Sequence, residues 1–241
     1  MLKVAGLCKR FGGFLAVNQV SFEVREGEIL GLIGPNGSGK STTFNLIAGT
    51  LRPSDGSISF AGREIGGLPA HRICRSGIAR TFQIPRPFRK LSLIENVALA
   101  ASYGKAGGLS RAEALSRAEE ALGLVGLPVS VTARTDGLGA AALKKLELAR
   151  ALATQPRLLL ADESLGGLDH AEMEHAADLL NSIRSRMGIT IVWVEHIMGV
   201  LMRIVDRVIV LDHGEKIFEG LPAAAARDAK VTEVYLGTRR S

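Results

Sequence analysis

Cysteine is almost missing from this chain of 241 residues. Cys8 and Cys74 stand alone, which makes neither a zinc spacing nor a disulfide framework. Both read as reduced, packed thiols, in keeping with a cytosolic chain. Aromatic residues are also scarce, at 5 % of the sequence. The net charge is +6, and Arg72, Arg75, Arg80, Arg86, Arg89 and Lys90 crowd the stretch HRICRSGIARTFQIPRPFRK. Only Phe82 and Phe88 are available there to stack on bases, so nucleic acid is not the expected partner. A solvated face, or one turned to an acidic or membrane-bound partner, suits the stretch better. No apolar run approaches the roughly 18 residues of a spanning helix. The opening MLKVAGLCKRFGG has one short apolar patch and no signal-peptide core. Sustained heptads are lacking too. His170 and His175 lie five apart, off a shared helical face, and read as solvated residues with no metal to hold.

Apolar residues are plentiful, at 46 %, enough for a substantial core. Mean hydropathy is +0.19, high enough to suggest contact with an apolar partner. The strongest local signal is ILGLIGPNGSGKSTTFNLIAG. Ile29 to Ile33 reads as a buried strand and Thr42 to Ala48 as a helix closed by Gly49. Between them Gly34, Pro35, Asn36, Gly37, Ser38, Gly39, Lys40 and Ser41 match G-x-x-x-x-G-K-[ST], with Thr42 next. Glycines let successive backbone N–H groups turn inward around phosphate oxygens, and the positive end of the helix adds attraction. Lys40 brings charge to the β and γ phosphates, and the Ser41 hydroxyl can ligate Mg²⁺. These residues point to ATP with Mg²⁺.

PRLLLADES supplies a second apolar strand, Leu158 to Ala161, ending in Asp162 and Glu163. Asp162 is placed to hold Mg²⁺ through water, and Glu163 to accept a proton from an attacking water. The strand ITIVWVEH ends at His196, which reads either as a core histidine or as a residue at the γ phosphate.

These pieces, in this order, resemble the nucleotide-binding subunit of an ABC transporter over nearly the whole chain. The resemblance implies an α/β fold: a P-loop NTPase core with a mixed sheet, an N-terminal antiparallel β part and an inserted helical subdomain. It implies one domain over 1–241, with 1–84 and 136–241 forming the core and about 85–135 the helical insertion. It places Phe11 where an aromatic ring stacks on adenine. Gln83, in IARTFQ, falls on the loop residue that contacts Mg²⁺ and the attacking water. Asp162 and Glu163 match the acidic pair, Gly166 to Asp169 the D-loop, and His196 the switch histidine. Catalysis is thereby expected from Lys40, Gln83, Glu163 and His196.

Aligning LARAL with the family's IARAL sets Leu138-Gly139-Ala140-Ala141-Ala142 on the family signature Leu-Ser-Gly-Gly-Gln. Gly139 stands where a serine hydroxyl would reach the partner subunit's γ phosphate, and Ala141 replaces a closely approaching glycine. A hydrogen bond to a charged group contributes about 1.5–3 kcal/mol, so losing the serine weakens capture roughly 10- to 100-fold. The alanine methyl would add strain if its backbone needs positive φ.

The stretches IARTFQIPRPFRKLSLIENV and VEHIMGVLMRIVDRVIVLDHGEKIFEG, with the ending VTEVYLG, resemble the ATPase subunits of branched-chain amino acid importers. The ATPase of lipopolysaccharide export shares that ending and much of the core, with a more orthodox signature. A soluble ABC-type machine acting on nucleic acid, and a small-molecule P-loop kinase, are further alternatives. The importer resemblance implies a second ATPase subunit (identical or not), transmembrane permease subunits and, indirectly, a substrate-binding protein. It implies a peripheral seat on the cytoplasmic face of the plasma membrane. Phe82, Ile84, Phe88 and Leu91 either meet a permease helix or fill the subdomain core.

The remaining pattern predicts helices and a hairpin. Ser110 and Glu113 form a capping-box pair ahead of a stripe at Leu115, Ala118, Leu122 and Val125. Leu143, Leu146, Ala149 and Leu152 form another stripe. Asp169 and Gly188 bracket a helix with Met173, Ala176, Leu180 and Ile183 on one face. RVIVLDHGEKIFEG predicts two strands turning at His213-Gly214.

Overall fold

The computed structural model describes residues 1–104, 108–162, 169–195 and 198–236. In chain order its elements are β1 (Leu2–Phe11), β2 (Phe14–Val24), β3 (Ile29–Ile33), α1 (Lys40–Ile47), β4 (Asp55–Phe60), β5 (Arg63–Glu64), α2 (Ala70–Arg75) and β6 (Ile78–Arg80). There follow α3 (Leu93–Gly104), α4 (Arg111–Leu124), α5 (Ala140–Ala153), β7 (Leu158–Asp162), α6 (His170–Met187), β8 (Thr190–Val194), α7 (Met198–Ile204), β9 (Arg207–Asp212), β10 (Glu215–Gly220), α8 (Pro222–Ala225) and α9 (Ala229–Leu236). They gather into two compact units, residues 1–70 with 190–241, and residues 71–189. Among the described residues, no helix is long and apolar enough to cross a membrane.

In the first unit β1 pairs antiparallel with β2 and with β4, and β4 with β5. Alternation explains the sheet: Val20, Phe22 and Val24 point inward on β2 while Ser21 and Glu23 point out. β3 has a different character. All five of its residues are buried, and it pairs in parallel with β8, also buried throughout, and with β9. Continuous apolar strands are what a two-sided parallel core demands. β9 and β10 form the expected hairpin, antiparallel, its two turn residues His213 and Gly214 at φ 44° and 82°. That left-handed pair matches the twist of the flanking strands.

The polar centre of this unit is Arg207. Its guanidinium donates to Glu28 Oε1 at 2.8 Å and to the Glu23 carbonyl at 2.6 Å, and it pairs with Glu219. Glu28 also accepts the Arg25 N–H at 2.6 Å. One arginine thus ties the β2–β3 corner to the β9–β10 hairpin.

In the second unit β6 runs parallel to β7, with Arg80 opposite Leu160. Helices α3, α4 and α5 pack on one another. α4 starts with the expected box: Glu113 N–H donates to Ser110 Oγ at 3.2 Å, and Ser110 N–H to Glu113 Oε2 at 2.8 Å. α6 starts with a second box, Asp169 with Glu172, and ends at Gly188 with φ 64°. Ala118, Leu122 and Val125 are buried as expected, but Leu115 is half-buried and Ala114 and Ala121 lie inside. Small alanines take the innermost line because α4 packs closely on two helices at once. For the same reason of position, Leu143 and Met173, each in the first turn of its helix, stay half-buried, while Leu146 and Leu180 are fully covered. Ala176 is half-buried as well, and Ala177 takes the inner place. α3 and α4 fall in the span expected of a helical insertion, and both units cut the chain at other places than that expectation does.

Removing one partner of a buried ion pair costs several kcal/mol because the other charge stays behind. Arg207→Met should lower the unfolding free energy by about 3 kcal/mol in urea titrations. A loss below about 1 kcal/mol would show that the Glu28–Arg207–Glu219 cluster contributes little.

Candidate functional site

The phosphate loop is built where β3 ends and α1 begins. Its shape is forced by crowding. At Gly34 a Cβ would lie 2.1 Å from the Leu211 carbonyl oxygen and 2.6 Å from Ser38 Oγ. At Gly39, where φ is 101°, it would lie 2.8 Å from the Ala16 carbonyl oxygen. Only glycine passes both points. Ser38 is fixed from both sides, its N–H donating to the Pro35 carbonyl at 3.2 Å and its carbonyl accepting the Gly214 N–H at 3.1 Å.

Lys40 is only 4 % exposed, yet its ammonium lies in the mouth of the loop. It donates to the carbonyls of Gly34 at 2.7 Å and Pro35 at 2.8 Å. The first turn of α1 directs N–H groups at the same place, which the helix itself cannot use. Gly39 caps that helix without any side-chain bond, so the cap position offers only backbone. Asn36, Gly37 and Ser41 are exposed, and Pro35 and Thr42 are half-buried. A glycine-walled loop, a buried ammonium and a helix N-terminus fit the phosphates of a nucleotide. The hydroxyl of Ser41 is a hard oxygen donor of the kind Mg²⁺ prefers.

Phe11 ends β1 with its ring 46 % exposed and the Lys9 ammonium 5.1 Å from the ring centre. An open aromatic face in this unit suits a flat base. On another side the loop borders a cleft of about 640 Å³, walled by Pro35 to Ser38, by Asp212 and His213, and by Lys230, Glu233 and Val234 of α9. Next to them on α9, Tyr235 receives a hydrogen bond from the Gly34 N–H. Burial pushes its phenol up to about 12, and the Gly34 bond pulls the other way.

In the second unit Asp162 closes β7, 5 % exposed. Its N–H donates to Thr81 Oγ1 at 3.2 Å, and its Oδ2 accepts from Arg80 Nη2 at 2.5 Å. Gln83 lies exposed in the loop that continues β6. Phe82, Ile84 and Phe88 around it are exposed, at 44 %, 71 % and 47 %, and Leu91 is half-buried. The reading in which the first three fill the subdomain core is therefore set aside, because their rings and methyls face outward.

α5 begins at the stretch expected to be the signature. Gly139 is its N-cap, at φ −68° and ψ 170°, with no side-chain cap bond. Gly139 and Ala140 are exposed and Leu138 and Ala141 half-buried, so the helix end is open to a second molecule. Ala141 sits in ordinary helical backbone in the first turn, and its φ is not positive. The strain expected of its methyl is thus absent. What the helix lacks is the hydroxyl at 139.

About two turns further on, the helix clamps the loop after Gln83. Arg150 Nη1 donates to the Arg86 carbonyl at 2.9 Å and to Glu147 Oε2 at 2.8 Å, and its guanidinium lies 5.2 Å from the Phe88 ring centre. Burial pushes the Glu147 carboxyl up, with Arg150 and the Arg86 N–H drawing it back. Glu163, Gly166 to Leu168 and His196 lie outside the described residues.

Sequence reasoning overlooked Tyr235, Glu147, Arg150 and the tie between Arg80 and Asp162. The signal for Glu147 and Arg150 was present: two opposite charges three apart inside an apolar helical stripe. Arg80 was hidden among five neighbouring basic residues, and Tyr235 is joined to Gly34 across 201 positions of chain.

Tyr235→Phe removes the acceptor for the Gly34 N–H, which should cost about 1 kcal/mol of stability. It also changes the alkaline limb. The phenol keeps its proton to about pH 12 in the fold, against 10.0 when exposed. Its contribution is therefore complete below pH 10 and is lost as pH climbs toward 12. Thermal unfolding of the two proteins should converge across that interval; parallel curves would contradict the upward shift of this phenol, whose residue remains 37 % exposed.

Residues 17–166 match the family described as ABC transporter. The high-affinity branched-chain amino acid transport ATP-binding protein LivG of Salmonella typhimurium is 38 % identical, over 98 % of each chain. A solved structure of MJ1267, an ATP-binding cassette of an ABC transporter, superimposes with a TM-score of 0.88 at 28 % identity, covering 98 % of this chain and 99 % of that one. The dimeric post-hydrolysis state of the cassette MJ0796, bound to ADP and Pi, gives 0.82 at 28 % identity, over 92 % and 99 %. With the glycine-walled loop, Lys40 in its mouth and an apolar strand ending in Asp162, the chain belongs to the ABC transporter family, as one of its ATP-hydrolysing cassettes.

Proposed function

We propose that this chain is the ATPase subunit of an importer for branched-chain or related amino acids. The observation that carries the reading is the full-length identity of 38 % to LivG, a branched-chain amino acid transport ATP-binding protein. In this reading the chain sits peripherally on the cytoplasmic face of the membrane, bound to permease subunits, with a substrate-binding protein acting on the permease. The exposed Phe82, Ile84 and Phe88 are the apolar surface it offers to them. The helical insertion spans about 85–135, and the remaining chain forms the catalytic core.

Each residue has a share in the chemistry. Phe11 stacks on adenine. The N–H groups of Gly37 and of Gly39 to Thr42 hold the phosphates, and Lys40 neutralises charge gathering on the transferred group. Ser41, Gln83 and Asp162 hold Mg²⁺, which supplies further neutralisation of the phosphate oxygens. Glu163 accepts the proton of the attacking water, and His196 and Gln83 orient the groups around it. Lys40→Ala should lose nucleotide binding. Glu163→Gln should keep binding and lose turnover by about 10²-fold or more. ATP-dependent leucine uptake into vesicles holding the whole complex should vanish with either change. Uptake that survives Lys40→Ala would end the proposal.

The chain works as a dimer in this reading, each nucleotide lying between one subunit's phosphate loop and the other's signature. Support comes from the exposed N-terminus of α5 and from the dimeric state of MJ0796. The better-fitting arrangement is a heterodimer. This chain's intact loop would be completed by a partner's signature, and its own Gly139 and Ala141 would leave the partner's site slow. A side chain at 139 meets nothing within 4 Å, so a serine fits. Gly139→Ser with Ala141→Gly should raise turnover at the partner's site by about tenfold, and so the ATPase rate of the assembled complex by up to about twofold. No increase would mean that the hydroxyl is not the missing element.

A further inference from the structure

Arg80 and Asp162 form a buried ion pair, with side-chain exposures of 11 % and 7 % and a contact of 2.5 Å. The pair is over-determined. Arg80 lies on β6 opposite Leu160 of β7. The next residue, Thr81, donates its N–H to the Leu160 carbonyl at 3.0 Å and accepts the Asp162 N–H on its hydroxyl at 3.2 Å. The guanidinium also lies 5.3 Å from the ring centre of Phe82, the residue before Gln83. A carboxylate read as a magnesium ligand is thus already neutralised by a cation of the same chain.

We infer that Arg80 is the resident counter-ion of Asp162 and that it sets how much Mg²⁺ the site requires. The inference rests on the reading of Asp162 as a Mg²⁺ ligand. Two effects act in one direction. The guanidinium repels a divalent cation approaching the same carboxylate. It also stabilises the metal-free state, because a lone buried carboxylate is costly. Metal binding to the unaltered chain must therefore compete with a pair worth keeping. The Phe82 face gives the guanidinium a second seat when the carboxylate turns to the metal. Metal occupancy is passed in this way to the loop carrying Gln83. Arg80 is a positioning residue here: it acts on the reaction through Asp162.

The test is a Mg²⁺ titration of the full chain with a fixed concentration of a non-hydrolysable ATP analogue, read by thermal unfolding. Arg80→Met and Arg80→Gln should each lower the half-saturating Mg²⁺ concentration by about threefold or more, and Arg80→Lys, which keeps the charge, by less than about twofold. Without Mg²⁺ the Met and Gln variants should melt below the unaltered protein, and the gap should narrow once Mg²⁺ and analogue are added. Binding of a fluorescent ATP analogue in a chelator should be unchanged in both. A half-saturation that is unmoved or raised in whichever of the two folds overturns the inference, as does an equal loss of nucleotide affinity in the chelator. Asp162→Asn separates this from the underlying reading. That variant should raise half-saturation about tenfold. If it does not, the metal role of Asp162 falls and the inference with it; if it does while the Arg80 variants are unmoved, only the counter-ion role falls.

Discussion

The turn from β3 into α1 is the constraint on which the rest depends. Backbone carbonyls of two other segments, at Ala16 and Leu211, press against it so closely that Gly34 and Gly39 have no room for a side chain. Those segments are fixed in turn. Asn18 donates its N–H to the Gly214 carbonyl at 2.8 Å, and Gly214 donates to Ser38. The antiparallel sheet and the β9–β10 hairpin therefore act as the mould of the loop. Their worth is geometric: they leave Gly34 and Gly39 no room for a side chain and hold the loop in its tight turn. Electrostatic stabilisation is effective when donors are placed before charge arrives.

In the second unit the buried charges come in pairs, as Arg207 and Glu28 do in the first. Arg80 meets Asp162, and Arg150 meets Glu147. Each pair also reaches an aromatic ring of the loop around Gln83, Arg80 that of Phe82 and Arg150 that of Phe88. The loop is thus gripped at both ends, one grip on the strand that ends in Asp162 and the other on the helix that begins at the signature. A displacement of either grip must move the exposed residues Phe82, Ile84 and Phe88, which in the proposed assembly face the permease. Cation and ring contacts are weak enough individually to re-form in a new place, which suits a loop that transmits motion.

Legibility from sequence followed the range of the interactions. The phosphate loop was readable because its chemistry needs consecutive residues, Gly34 to Ser41. Both helix starts at Ser110 and Asp169 were readable because a capping box closes within one turn. The His213-Gly214 turn was readable because two residues must adopt positive φ. Burial within the helices was read less well. The innermost line of α4 depends on how near its neighbours come, and periodicity favoured Leu115 where packing selected Ala114. Tyr235 and Arg80 carried no local signal, since their partners lie far away in sequence. The condition under which Ala141 would be strained, a positive φ, could not be read for a related reason: it depends on the backbone, which is helical there.

That last point bears on what the altered signature does. A helix N-terminus attracts an anion through its backbone N–H groups and its dipole, and neither depends on the side chain at the cap. α5 keeps both, exposed and unstrained. What Gly139 removes is one directional hydrogen bond, and such bonds are strongest at the transition state, where charge on the phosphoryl oxygens is greatest. General attraction and specific stabilisation are thereby separated. In the proposed assembly, the partner's nucleotide would still draw the two subunits together across α5, while its hydrolysis would lag. A site that closes readily and turns over slowly serves as a clasp, leaving the stroke of each cycle to the site built on this chain's own loop.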